Sequence, residues 1–301
     1  MTDSTTSSDD RLLAAQAETD ALMAMVTDRI TLETFDPNDR QLMRRMVFEG
    51  LGDARGLVRL RFAETLGEIG EVATPILLEA LADKSNVVLR RAATKTLTII
   101  ADPRAVPALL DAFLHDEDTV VNGSAAGALA RTGETAVPAL LDILASPEYA
   151  ESTKGHAAWA LAFIGAEAAE HLYKAMGSDS VDVRCAAIAA IAQVAQTNSD
   201  ERACNILIAA LTDAAVAIRN EAAATLGQVN YPPAIPHLIL ALRDSDVDVR
   251  KAAVSSLGKV GDTTALEPLR AALDDEEEPI RLLAKLAISK LERRLAEGDD
   301  E

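Results

Sequence analysis

Three aromatic side chains fall on two turns of one segment, "KGHAAWALAFIG" (residues 154–165): His156, Trp159 and Phe163. Trp159 is the chain's one tryptophan, and Phe, Trp and Tyr together make up only 3% of its 301 residues. Neighbouring rings offer a flat apolar surface to a conjugated ligand or to a partner's side chain. A histidine beside them can hydrogen-bond or move a proton near neutral pH. The competing account is that the rings fill a core. Other reactive groups are sparse. Cys185 and Cys204 form no CxxC pair and no metal-ligand cluster, and each lies in an Ala-rich context that suits a small buried hydrophobe. His115, His171 and His237 are scattered, with no Cys or carboxylate at metal spacing, so no metal site is expected. The acidic run "DDEEE" (274–278) reads as a solvated turn and helix start. "GLGDARG" (50–56) lacks the preceding strand that a phosphate-binding glycine loop needs. No Ser–His–Asp arrangement and no GxSxG is legible, so nothing in the residues by themselves establishes an enzyme.

Composition narrows the partners. There are 29 Lys and Arg against 48 Asp and Glu, a formal net charge of −19. A field of that sign repels nucleic-acid backbones and anionic lipid surfaces, which leaves a neutral or basic protein partner. The first residues, "MTDSTTSSDD", are polar and acidic, without the apolar run of a signal peptide. No uncharged apolar stretch is long enough to span a bilayer. A reducing, cytoplasmic setting without membrane insertion is the expectation.

What must position the rings is a repeat. An aliphatic residue, a basic residue, small residues and then Leu or Ile recur in "VRLRFAETLGEIG" from Val58, "LRRAATKTLTII" from Leu89 and six later copies. The position after the first aliphatic is Arg59, Arg90, Asn122, Lys154, Arg184, Arg219, Arg250 and Arg281, a period of about 31 residues. Each unit also has an earlier segment, such as "TPILLEALAD", "VPALLDAFLHD" or "IPHLILALRD". Proline near its start suits a first helical turn, where the missing N–H is not needed. The unit is therefore a Pro-led first helix, a short turn and an Ala-rich second helix. Neither helix buries its apolar stripe alone, so neighbouring units must stack. The widest spacing coincides with "QTNSDE" (196–201), which reads as a longer loop. In several units an aspartate lies six residues before the basic position: Asp53, Asp116, Asp213, Asp244 and Asp275. These acids precede a helix start, where capping is available to them.

This pairing of Asp and Arg, on a helix pair with a Pro-led first helix, resembles the HEAT repeat. The resemblance implies an all-α fold: a right-handed α-solenoid of about eight HEAT-like helix pairs, with Asp and Arg forming a ladder between adjacent repeats. It covers residues 38–295. Residues 1–10 are expected to be a disordered acidic N-terminus, 11–37 a capping helix and linker, and 296–301 an acidic tail.

With the basic position at 0° and about 100° per residue, positions +3, +4, +7 and +11 form one arc. They are Ala157, Ala158, Leu161 and Gly165 in the fourth unit. Positions +2, +5 and +9 fall at about 200°, 140° and 180°, on the opposite side. His156, Trp159 and Phe163 occupy them, so the rings form a stripe facing away from the packing seam. In a HEAT-like array that stripe faces the concave groove. Equivalent positions in the units before and after are small or polar, which leaves a hollow with Arg131 and Asn122 as nearby polar groups.

Second helices such as "RFAETLGEIG", "HAAWALAFIG", "NEAAATLGQV" and "RKAAVSSLGKVG" resemble the HEAT subclass of phycobilisome-associated proteins. That group includes the E/F-type bilin lyases and related phycobilisome-turnover factors of cyanobacteria. The resemblance implies a maturation factor that holds a bilin, a phycobiliprotein subunit or both, and assists thioether attachment to a cysteine of the subunit. In that role Trp159 and Phe163 would stack on the open-chain tetrapyrrole, and His156 would hydrogen-bond it or donate a proton. Arg131, Lys95 and Arg61 would meet its propionates, and Cys185 is the one candidate for a transient adduct. The bilin is then a substrate rather than a tightly bound cofactor, and a second HEAT-repeat subunit is a possible requirement. Two other roles fit the same groove: a non-catalytic scaffold or chaperone for phycobiliprotein assembly or degradation, and a general protein–protein adaptor.

Overall fold

A computed structural model describes residues 8–198 and 200–298. All of the regular structure among them is helical. The chain divides into two compact units that meet in sequence at Ala136 and Val137. In the first, α1 (Ser8–Thr31) precedes three helix pairs. These are α2 (Arg40–Arg45, prolonged by a π-helical turn, Met46–Gly50) with α3 (Gly56–Ile69), α4 (Thr74–Leu81) with α5 (Val87–Ile100), and α6 (Val106–His115) with α7 (Thr119–Arg131). The second unit holds five pairs. They are α8 (Val137–Ala145) with α9 (Glu151–Ile164), α10 (Ala169–Ala175) with α11 (Val181–Asn198), and α12 (Glu201–Ala210) with α13 (Val216–Val229). Then come α14 (Ile235–Ala241) with α15 (Val247–Val260), and α16 (Leu266–Ala271) with α17 (Glu278–Gly298).

Local chemistry sets these boundaries. Pro75, Pro107 and Pro236 sit in the first turns of α4, α6 and α14, where no intrahelical N–H bond is lost. The second helices α5, α7 and α15 are capped by Asn86, Asp118 and Asp246, whose side chains accept backbone N–H bonds of the first turn. The acids six residues before the basic position do something else. Asp53, Asp116, Asp213, Asp244 and Asp275 each accept the N–H two residues ahead and fold the loop. Helix capping falls instead to residues nearer the helix.

Their remaining acceptor capacity forms the ladder. Arg219 donates to the carbonyl of Asp213 in its own loop and, through Nε and Nη2, to the Asp244 carboxylate of the next repeat at 2.7 and 2.9 Å. Arg250 repeats this with Asp244 and Asp275, and in the first unit Arg90 does so with Asp83 and Asp116. The Arg90–Asp116 side chains are 6% and 1% exposed, so the charges survive burial only as a bidentate pair. Arg219 holds the Asp244 carboxyl below the usual carboxylate range against the opposing effect of burial.

Stacking also needs close approach. A Cβ on Gly227 of α13 would lie 2.8 Å from the Ser256 Cα of α15, and one on Gly258 would lie 3.0 Å from the Ala287 Cα of α17. Such backbone contacts leave no side chain to rotate away. In this register the alanines and leucines of the second helices become core: Ala222, Ala223, Leu226, Ala253, Val254 and Leu257 are fully buried.

Three boundaries differ from the sequence expectation. The N-terminal helix already includes Ser8 rather than beginning at 11; residues 1–7 lie outside the described residues. The polar stretch from 196 prolongs α11 to Asn198 instead of forming a long loop, and Asp200 then caps α12. Helix α17 continues to Gly298, so only 299–301 of the expected acidic tail lie outside the description. Among the described residues no helix is long and apolar enough to cross a membrane.

Gly227→Ala should lower the melting temperature, because overpacking against backbone costs about 1–3 kcal/mol and outweighs the ~1 kcal/mol gained in helix propensity. Gly155→Ala on α9, with nothing within 4 Å of the added Cβ, should raise it. Calorimetry of the two variants would refute the stacking account if both changes had the same sign. Arg90→Leu should cost about 3–5 kcal/mol by stranding the buried Asp116 carboxylate. Because folding depresses the ladder carboxyls, their contribution is complete above their unfolded pKa of about 4 and is lost as pH falls through the lower folded value. Denaturant melts between pH 6 and 2 should therefore show a steeper loss for the wild type than for Asp244→Asn.

Candidate functional site

Helix α9 separates its side chains as the wheel requires. Ala157, Ala160, Leu161 and Ile164 are buried, whereas Trp159 is 52% and Phe163 54% exposed. The two rings touch, with centroids 5.7 Å apart and planes tilted by 35°. Phe62 and Phe113 are core residues, so rings in this chain do not stand at the surface by default. Covering the exposed half of each α9 ring would yield roughly 2–3 kcal/mol at about 25 cal/mol per Å². That free energy is unused by the fold and remains for a ligand.

The helix is held firmly beneath the rings. Lys154 donates to Asp182 at the start of α11 at 2.6 Å, taking the place of the arginine in other repeats. His156 is exposed on the same stripe, and its Nδ1 lies 2.8 Å from the Ser152 carbonyl. That bond places the proton on Nδ1 and makes Nε2 the basic nitrogen. Further along the outward face of the second unit, α11 presents half-buried Ala189 and exposed Gln193, and α13 presents Glu221, Ala224 and Gln228. Three clefts of about 340 to 500 Å³ lie elsewhere: two border α1, and the third lies between α14 and α16 around Leu242, Arg243 and Pro268. The rings form a platform outside those clefts.

Cys185 belongs to this unit, half-buried on α11. Burial pushes its thiol up, and the Glu221 and Asp182 carboxylates push it further, against the opposing pull of Arg184. A protonated thiol is a weak nucleophile, so its surroundings do not favour a covalent adduct.

The remaining candidate residues lie in the first unit. Lys95 of α5 and Arg131 of α7 are exposed and have no ion-pair partner among the described residues. Arg61 of α3 is also exposed, but it lines a cleft against α1 beside Asp20 and Asp28. The pattern of α3 alone did not show that α1 borders this face. Asn122 differs most from expectation. Its amide nitrogen lies 3.0 to 3.1 Å from the carbonyl oxygens of Ala112, Phe113 and Asp116. It ties down the end of α6 where other repeats use the arginine, and its donors are spent on the fold rather than turned to a ligand. The residue that the sequence argument passed over is Glu221, a carboxyl in an Ala-rich helix at the same +2 position as His156.

Helix pairs, loop aspartates and a buried Arg–Asp ladder define a HEAT-type stack. The HEAT-repeat family model matches in five overlapping stretches running from residue 45 to residue 289. The chain belongs to the HEAT-repeat family. Among curated proteins, the bilin biosynthesis protein MpeU of Synechococcus sp. (strain WH8020) is 36% identical over 193 residues, which is 64% of this chain. The chain spans 65% of the length of that relative. Among solved structures, the karyopherin Kap121p bound to the SUMO protease Ulp1p superposes with a TM-score of 0.58 at 14% identity, over 97% of this chain and 38% of that one. The CpcE–CpcF complex of phycocyanin lyase from Nostoc is 22% identical with a TM-score of 0.34, over 84% of this chain and 97% of that one.

The environment of Cys185 predicts slow chemistry. Iodoacetamide at pH 7.5 should modify it several-fold more slowly than a free thiol of ordinary pKa, and Cys185→Ser should leave the ring platform unaffected. Mass spectrometry showing modification as fast as free cysteine would contradict the assignment.

Proposed function

We propose that this chain is a phycobiliprotein maturation factor whose Trp159–Phe163 pair receives an open-chain tetrapyrrole. The observation that carries the reading is the exposure of two touching rings on a rigid second helix, in a chain related to a bilin biosynthesis protein. A conjugated, flat ligand gains most from such a surface, by stacking and by burial of the exposed ring faces. His156 stands on the same stripe to accept a hydrogen bond from the bilin at Nε2 or, in its imidazolium form, to donate a proton. Attachment joins the bilin to a cysteine of the acceptor subunit, so the nucleophile is not required from this chain, in keeping with the protonated state of Cys185. The acceptor subunit is the protein partner, a second HEAT-repeat subunit completes the assembly, and the work is done in the cytoplasm.

The same platform serves a scaffold or chaperone role if a phycobiliprotein subunit rather than the pigment binds it. Titrating the purified protein with phycocyanobilin and with phycoerythrobilin separates the readings. Binding should shift and intensify the visible absorption of at least one, with Kd in the micromolar range or below. Trp159→Ala should weaken it at least tenfold, about 1.4 kcal/mol, with helical circular dichroism unchanged. No spectral change at tens of micromolar with either pigment would exclude pigment handling.

A further inference from the structure

Helix α17 departs from the second helices before it. On α13 and α15 the position eight residues after the arginine is Gly227 and Gly258, where an added Cβ would meet the Cα of the following second helix. On α17 that position is Ser289, and it is exposed. An exposed stripe runs along this edge through Leu282, Lys285, Leu286, Ser289, Lys290 and Arg293. Ile280, Ala284, Ala287 and Leu291 are buried on the opposite side. Leu282 is 53% and Leu286 60% exposed. Arg293 is paired with Glu297, whereas Lys285 and Lys290 have no ion-pair partner among the described residues. In a chain of net charge −19, this is a leucine face edged by cations. Leu282, Leu286, Ser289 and Arg293 recur at the a/d spacing that takes another helix, and Lys285 and Lys290 fall at the flanking g and e positions.

The chain carries a matching face of opposite charge. On α1, Thr19, Leu22 and Val26 are buried, and the far side exposes Ala14, Ala17, Ala21 and Ala24 at the same a/d spacing. Glu18 and Asp20 flank that row at e and g, both exposed, and Asp20 also holds Arg55. The alanines leave room between them for leucine knobs. We infer that α17 of one copy docks on α1 of a second copy, with its leucines seated over the alanine row and its lysines beside the acids. Charge selects this pairing over the others. With the helices parallel, Lys285 meets Glu18 and Lys290 meets Asp20; with the helices antiparallel, the partners exchange. Two α17 faces would set lysine against lysine, and two α1 faces acid against acid. Because the two surfaces differ, the contact is heterologous. A pair of chains keeps one free α17 face and one free α1 face, so assembly continues unless it closes into a ring. The inference involves neither ring of α9 and is independent of the pigment reading.

Sedimentation of the full chain from about 1 to about 300 μM tests this. At about 0.15 M salt a Debye length of about 8 Å screens the overall repulsion between acidic chains but not charges in contact. The weight-average mass should rise with concentration above that of one chain. Leu282→Ser combined with Leu286→Ser should weaken association at least tenfold, with helical circular dichroism unchanged because both side chains are exposed. Glu18→Lys should weaken it about tenfold as well. Adding Lys285→Glu or Lys290→Glu, whichever faces it, should then restore association to within about threefold of the wild type. A chain that stays monomeric over this range overturns the inference. So do leucine variants that associate like the wild type, and a Glu18→Lys variant that neither reversal rescues. Vesicles of phosphatidylserine and phosphatidylcholine separate the other source of negative charge. A wild-type chain that pellets with them but does not self-associate would assign the leucine face to a lipid surface and overturn docking between copies.

Discussion

Where the stack is most regular, in α13, α15 and α17, the second helices approach at a spacing that admits little more than a Cβ, and arginines on α13 and α15 fix the register. Gly227 against Ser256 and Gly258 against Ala287 show how tight the contact is. The Arg219–Asp244 and Arg250–Asp275 pairs show how the loops are locked on top of it. Because packing consumes one arc of each helix, the opposite arc is relieved of structural duty. Whatever stands at +2, +5 and +9 can vary without disturbing the stack. Rings on α9 and a carboxyl on α13 are tolerated for that reason, and the stack beneath holds them in place.

The ladder is not uniform. Arg184 reaches Asp213 with one nitrogen only, and its Nε is buried without a partner. Lys154 replaces arginine and turns to Asp182, and Asn122 has no charge to offer an acid at all. A neutral amide gives up the strong bidentate bond but still satisfies the end of α6, so the helix pair survives while one ion pair is lost. Arg59 of α3 departs as well, donating only to the carbonyls of Asp53 and Ala54 in its own loop. The regular rungs, by contrast, belong to α5–α7 and to α13–α17.

Much of this was legible before any coordinates. The period, the Pro-led first helices and the Asp–Arg spacing specify the pairs, and helical spacing alone puts Leu161 inside and Trp159 outside. What escaped the sequence depended on contacts between distant segments or on competing local bonds. The loop aspartates precede helices, yet Asx turns and arginines claim them before capping can. Arg61 reads as an outward cation until α1, more than thirty residues upstream, is found beside it. Asn122 looks like a polar group near the rings, but three carbonyls of its own repeat lie within its reach. Glu221 looks like an ordinary surface acid, but it is half-buried, and burial raises its carboxyl above the ordinary range.

The central claim is local: a tetrapyrrole lies on the Trp159 ring. Because the chain has one tryptophan, 5-fluorotryptophan labelling gives a single ¹⁹F resonance that reports on that ring alone. In the unliganded protein it should show the solvent isotope shift of an exposed indole. Adding pigment should move the resonance and suppress that isotope shift in step with the change in visible absorption. A visible absorption change with the ¹⁹F position and isotope shift both unaltered would place the pigment elsewhere and contradict the account.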